Sequence, residues 1–170
     1  MLLTSSLTTI KELIINYCNK IYEHSGINHF WSVQNSLDVL DKLRAFDGPF
    51  DSVNSFDFST LYTTLPHYLI KQKFSNLIKW SFGKAECRYI CCNSFKAFFS
   101  NEKGKYAKYT YWRCDEMIEA VNFLLDNIYV RFGNKVYRQV VDIPMGINCA
   151  PLNIILVIVI LCAFAMPCLL

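Results

Sequence analysis

The 170-residue chain is 53% apolar and 15% aromatic with 18% charged residues, which excludes a largely disordered polypeptide and suits one domain with a substantial core. Its net charge of +3 permits a nucleic-acid partner but excludes binding driven by global charge alone, since that needs clustered Lys and Arg. The low charged fraction points to surfaces that a partner, or a further part of the polypeptide, covers.

From Ser6 to about His24, apolar residues fall at Leu7, Ile10, Leu13, Ile14, Tyr17, Cys18 and Ile21, the spacing of one helical face. Gly26 is its natural stop. Lys11 and Glu12 interrupt the N-terminal stretch before it reaches the length of a signal-peptide core, so no secretory leader is expected. The eight cysteines accordingly read as free thiols in a reducing compartment. A second short helix is predicted with Ser36 as N-cap and Leu37, Leu40 and Leu43 turned inward, and Asp47, Gly48 and Pro49 break the chain after it.

Phe50 to Leu61 reads as a strand with Phe56 and Phe58 on one face and Asp57 on the other. After Pro66, a helix running to about Ser81 places Leu69, Ile70, Phe74, Leu77 and Ile78 inward and Lys71, Lys73 and Lys79 mostly on its wet side. His67 reads as a helix-start residue and not a base, and His24 and His29 as surface or loop residues. Cys87 to Phe99 is strand or hairpin, and Asn101 to Lys108 is the polar tip between two such strands. The tyrosines and tryptophan at 106, 109, 111 and 112 lie beside Lys105, Lys108 and Arg113, where they either stack bases or, more commonly, pack a hairpin. Cys87, Cys91, Cys92 and Cys114 lack a Cys-x-x-Cys pair, which favours buried, inert thiols over zinc.

Helical spacing returns from Asp115 to about Tyr129, with Met117, Val121, Leu124, Leu125 and Ile128 inward and Gly133 and Asn134 closing it. Asp115, Glu116 and Glu119 suit the dipole of its first turns. Val136 to Ile143 reads as a strand, followed by a tight turn at Pro144 and Gly146. The order of elements is an α+β pattern.

Two segments carry chemistry. In Ser55 to His67, one acid lies inside an apolar, β-prone stretch, and burying it costs several kcal/mol unless something compensates, a divalent cation being the natural choice. Nucleotidyl transfer uses two metal ions roughly 4 Å apart, held by carboxylates from different strands. Asp57 suits the first of these ligands, Tyr62 stands where a nucleotide sugar would stack, and the Pro144-Met145-Gly146 turn lets backbone approach a nucleic-acid strand.

Asp57 to His67, DFSTLYTTLPH, resembles the first catalytic motif of the reverse transcriptases of Penelope-like retroelements, and Tyr137 to Pro151, YRQVVDIPMGINCAP, is similar to their later palm motif. Phe30-Trp31-Ser32, Leu125 to Tyr129 and Arg131-Phe132-Gly133 share that look, so the resemblance covers roughly residues 3 to 152. It implies a partial right-hand polymerase palm, an incomplete antiparallel sheet with packed helices. On that reading residues 1–48 form an N-terminal helical region, 49–152 the partial palm and 153–170 an apolar tail. It further implies that Asp57 binds Mg²⁺, that Tyr62 is the sugar gate, and that Pro144, Met145, Gly146 and Asn148 line the nucleotide and template pocket. An RNA template, a DNA primer and a deoxynucleoside triphosphate would be the partners, in the nucleus or cytoplasm.

Asp142 stands where the family has glycine, and Ile147 where it has threonine. The double-aspartate strand that supplies the remaining metal ligands is missing from the 170 residues, and the Arg- and Lys-bearing fingers motifs are not recognisable. The expectation is a fragment inactive alone, because one carboxylate does not hold two metals. A non-catalytic nucleic-acid-binding module is a rival reading.

Ile154 to Leu170 carries no charge, and as a helix would span about 26 Å against a hydrocarbon core of about 30 Å. A tail-anchored membrane protein on a palm-like scaffold is therefore physically admissible. The alternative is read-through past a frameshift or splice boundary, since the resemblance stops near Leu152.

Overall fold

A computed structural model describes residues 2–27, 35–49, 52, 54 and 66–141. Helix α1 spans Leu2–Ser25 and buries Leu7, Ile10, Ile14 and Cys18, the face that the spacing predicts. It ends where Gly26 takes φ +68° and its N–H donates to the Tyr22 carbonyl at 2.8 Å.

Helix α2, Ser36–Arg44, forms where expected, but its cap is Asn35, whose Oδ1 accepts the N–H groups of Leu37 and Asp38 at 2.8 and 3.0 Å. The inward placement of its leucines is corrected: Leu37 is 67% exposed and Leu40 and Leu43 are 41% exposed. Nine residues have one narrow apolar face, and no described element covers it.

Helix α3, His67–Ala85, buries Ile70, Phe74, Ile78 and Phe82. It closes at Glu86, a non-glycine residue in the left-handed region at φ 52°. Asn101 braces that corner, accepting from the Arg88 N–H at 2.9 Å and donating to the Glu86 carbonyl at 3.1 Å. The apolar run after it is a hairpin of β1, Tyr89–Cys92, and β2, Ala97–Ser100. Its turn is shaped by Asn93, whose Oδ1 accepts the N–H groups of Phe95 and Lys96, each at 2.8 Å. Strand β3, Thr110–Trp112, pairs with the other edge of β1, so the sheet runs β2-β1-β3, antiparallel throughout. The polar tip at 101–108 therefore crosses from one sheet edge to the other and does not join paired strands.

Helix α4, Cys114–Asp126, buries Met117, Val121 and Leu125. The reading of helix up to Tyr129 is corrected: Tyr129–Phe132 is strand β4, Lys135–Arg138 is β5, and Gly133 with Asn134 is their two-residue loop. Gly133 at φ +60° as the first loop residue fits the type II′ turn that matches strand twist. One core joins these elements, with Phe74 and Ile78 of α3, Ile10 of α1, Ile90 of β1 and Met117 of α4 almost wholly buried. The architecture is mixed helix and antiparallel sheet, the α+β class expected from the order of elements.

Candidate functional site

The residues expected to carry chemistry, Asp57, Tyr62, Pro144, Met145, Gly146 and Asn148, lie outside the described residues. So do the strand predicted from Phe50 to Leu61, apart from Ser52 and Asn54, and everything after Val141, including the tail at 153–170. The chain leaving the first segment and the chain entering the second are both described, and they meet. Pro66 and Val141 form an isolated antiparallel bridge, and the His67 N–H donates to the Val140 carbonyl at 3.1 Å.

Each side of this junction is built from local chemistry. Pro66 fixes the entry to α3, having no N–H to leave unpaired at a helix start. His67, the first helical residue, is buried, and its N–H, ordinarily an orphan of the first turn, finds a partner on the other segment. On the opposite side, β5 runs into Gln139, whose N–H donates to the Ile128 carbonyl at 2.8 Å. That bond extends the β4–β5 ladder toward Val140. The buried side-chain oxygen of Gln139 has no hydrogen-bond partner among the described residues, a cost of about 1–3 kcal/mol unless a donor is supplied.

A charged hub ties the two sides together. Asp126, the last residue of α4, receives Lys71 Nζ from the first turns of α3 on Oδ2 at 2.5 Å and an Arg138 terminal nitrogen from β5 on Oδ1 at 2.5 Å. Arg138 Nε donates besides to the Asp126 carbonyl at 2.8 Å. The hydrogen bond from Lys71 holds the Asp126 carboxyl below the ordinary carboxylate range against an opposing effect of desolvation, and the charges of Lys71 and Arg138 and the hydrogen bond from Arg138 add to the lowering. Lys71 is thus not simply a wet-side lysine, as its spacing implied. Its side chain is only 25% exposed and bridges two helices. Within the hub itself two cations face one carboxylate.

Other predicted features fall away from the junction. Asp115 and Glu116 are structural as read: each pairs with Arg113, at 3.0 and 3.2 Å, and Glu116 also accepts the Arg113 N–H at 2.8 Å. The aromatic run packs on itself. Tyr106 and Tyr109 stand edge-on to Phe98 at 5.3 and 5.5 Å, the Tyr111 hydroxyl bonds the Tyr106 backbone, and Trp112 Nε1 donates to Cys92 Sγ at 3.2 Å. Cys91 and Cys92 are buried in β1, and Cys87 and Cys114 line a separate open cleft with Arg88 and Arg113. Burial raises the thiol pKa of Cys18, Cys87, Cys91 and Cys114, which leaves them protonated and weakly nucleophilic near neutrality.

Among the described residues no group of three or more His, Cys, Asp or Glu is placed to hold a metal, and no helix is long and apolar enough to cross a membrane. Neither a family model, nor a curated protein, nor a solved structure matches this chain.

Proposed function

We propose that the chain is part of a reverse-transcriptase palm of the Penelope-like type, with Asp57 as a Mg²⁺ ligand and Tyr62 as sugar gate. Pro144, Met145, Gly146 and Asn148 then form the backbone-lined wall of the nucleotide and template pocket. The observation that carries this reading is the bridge from Pro66 to Val141. Two segments far apart in sequence, each resembling a polymerase motif, are tied at their near ends, as an active site assembled from both requires. Lys71 and Arg138, both paired to Asp126, hold α3, α4 and β5 together beside that tie.

Among the described residues no group of three or more His, Cys, Asp or Glu is placed to hold a metal, and the sequence carries no double aspartate, so on this reading the remaining ligands of a metal pair, which would supply activation of a primer hydroxyl and support of the leaving pyrophosphate, come from outside the motifs present here. What this chain contributes is position: Asp57 for one ion, Tyr62 against the sugar, and the Pro144–Gly146 turn along a strand.

Two experiments test the reading. The purified 170-residue chain, given primer, template and deoxynucleotides with Mg²⁺ or Mn²⁺, is expected to incorporate nothing, and robust synthesis that Asp57→Asn abolishes would contradict the inactive part. The nucleotide sequence following codon 152, read in all three frames, is expected to encode a tyrosine, a variable residue and two aspartates in one of them. Their absence from every frame over a domain's length would contradict the family reading.

A further inference from the structure

We propose that the β4–β5 ribbon is a docking surface for single-stranded nucleic acid, distinct from the motif junction and independent of any metal. The ten residues from Tyr129 to Arg138 hold Arg131, Lys135 and Arg138, with no acid among them. The pairing register sorts them into two faces. Tyr129 with Arg138, and Arg131 with Val136, share the face on which Arg138 reaches Asp126; Val130 with Tyr137, and Phe132 with Lys135, share the other.

Both faces are exposed along their length. Phe132 is 82% exposed, Tyr129 57% and Tyr137 50%. Among the described residues none of these rings meets another, in contrast to the mutually packed rings of the β1–β3 sheet. Arg131 donates to the Gly133 carbonyl, and among the described residues neither it nor Lys135 has a carboxylate partner.

Apolar rings left in water on a two-stranded ribbon are unfavourable unless something covers them. Unpaired cations on the same strands are unfavourable against an apolar protein or lipid interior. An unstacked nucleic acid satisfies both, its bases stacking on the rings and its phosphates meeting the cations. A duplex keeps its bases stacked internally and offers the rings nothing, so the surface selects single strands.

The test is fluorescence anisotropy on the full chain in EDTA, with labelled oligo(dT), oligo(U) and a duplex of equal length, compared across two double variants. Phe132→Ala with Tyr137→Ala is expected to weaken binding of both single strands by about tenfold or more, the loss of one to two stacked bases. Arg131→Gln with Lys135→Gln is expected to weaken it at low salt and reduce the slope of log affinity against log salt by about 1.4, about 0.7 for each cation. Lys20→Gln with Lys103→Gln, on other faces, is expected to change little.

Melting temperatures within the wild-type range establish that the exposed positions were altered without unfolding. Equal affinity for duplex, binding untouched by both ribbon variants, or no binding by the wild-type chain would each overturn the proposal. Binding kept in the ribbon variants in EDTA, and strengthened by added Mg²⁺ in the wild type but not in Asp57→Asn, would place the strand at the motifs, sinking this inference and leaving the polymerase reading intact. Tighter binding of oligo(U) than oligo(dT), or the reverse, identifies which nucleic acid the ribbon prefers.

Discussion

Pro66 and Val141 pair antiparallel where the chain leaving the first motif-like segment meets the chain entering the second, and the adjacent His67 N–H is held by the Val140 carbonyl. A first-turn helix amide ordinarily exchanges quickly because it lacks an intrahelical partner. The His67 amide is therefore expected to exchange slowly by NMR. Arg138→Gln, which frees β5 from Asp126, should accelerate exchange at His67 and Gln139 while leaving Ile78 and Ile90 unchanged.

The Asp126 hub predicts a pH dependence with a definite sign. Lys71 and Arg138 depress the folded pKa of Asp126 below its ordinary 3.8, so its contribution is fully present above the unfolded pKa and fades as pH falls below about 4. Asp126→Asn should lower the thermal midpoint near neutrality, and the gap between variant and wild type should close as the pH drops toward the depressed value. A constant gap across that range would show that Asp126 acts through packing and not charge.

Two left-handed backbone positions predict substitutions of opposite effect. Gly133 is at φ +60°, and a Cβ added there would meet open space, so Gly133→Ala should weaken the ribbon by roughly 1–2 kcal/mol through backbone conformation alone. Glu86 occupies the same region at φ 52°. Glu86→Gly should relieve that cost, for a net gain of about 0.5 kcal/mol after the added freedom of the unfolded chain. Chemical denaturation of the two variants measures both.

The core predicts a contrast between two apolar residues. Phe74 is almost wholly buried in the core shared by α1, α3 and α4, and Phe74→Ala should cost about 3–5 kcal/mol. Leu37, which its helical spacing would also turn inward, stands on an uncovered face, and Leu37→Ala should stay within about 0.5 kcal/mol. Denaturant midpoints distinguish the two.

Much of the fold is legible in the residues alone, and the exceptions have physical causes. Helix α1 follows from Leu7, Ile10, Ile14 and Cys18 because a long amphipathic stripe has one way to bury itself. The same spacing misplaces Leu37, Leu40 and Leu43, since a nine-residue stripe is inward only if something covers it. Strand β4 is hidden because Tyr129 to Phe132 continues an apolar helix without a break, and only the two-residue loop at Gly133 separates a helix end from a hairpin.

The Lys71–Asp126–Arg138 hub is not legible in that way, because its members are far apart in sequence. One signal does mark it: an acid as the last residue of a helix opposes the dipole there, and such a residue needs a cation from elsewhere. The catalytic reading comes from motif resemblance, and spacing alone points no further than one acid in a strand.

If the turn at Pro144 to Gly146 walls the pocket in which Asp57 binds its metal, as proposed, an ion held by Asp57 must be sensed at both. Paramagnetic broadening by Mn²⁺ reads this out in a backbone-assigned sample of the full chain. Substoichiometric Mn²⁺ should broaden the amides of Asp57, Tyr62 and Gly146 together, and Asp57→Asn should abolish the effect at all three. Broadening confined to other acids, or broadening at Gly146 that survives Asp57→Asn, would refute the shared pocket.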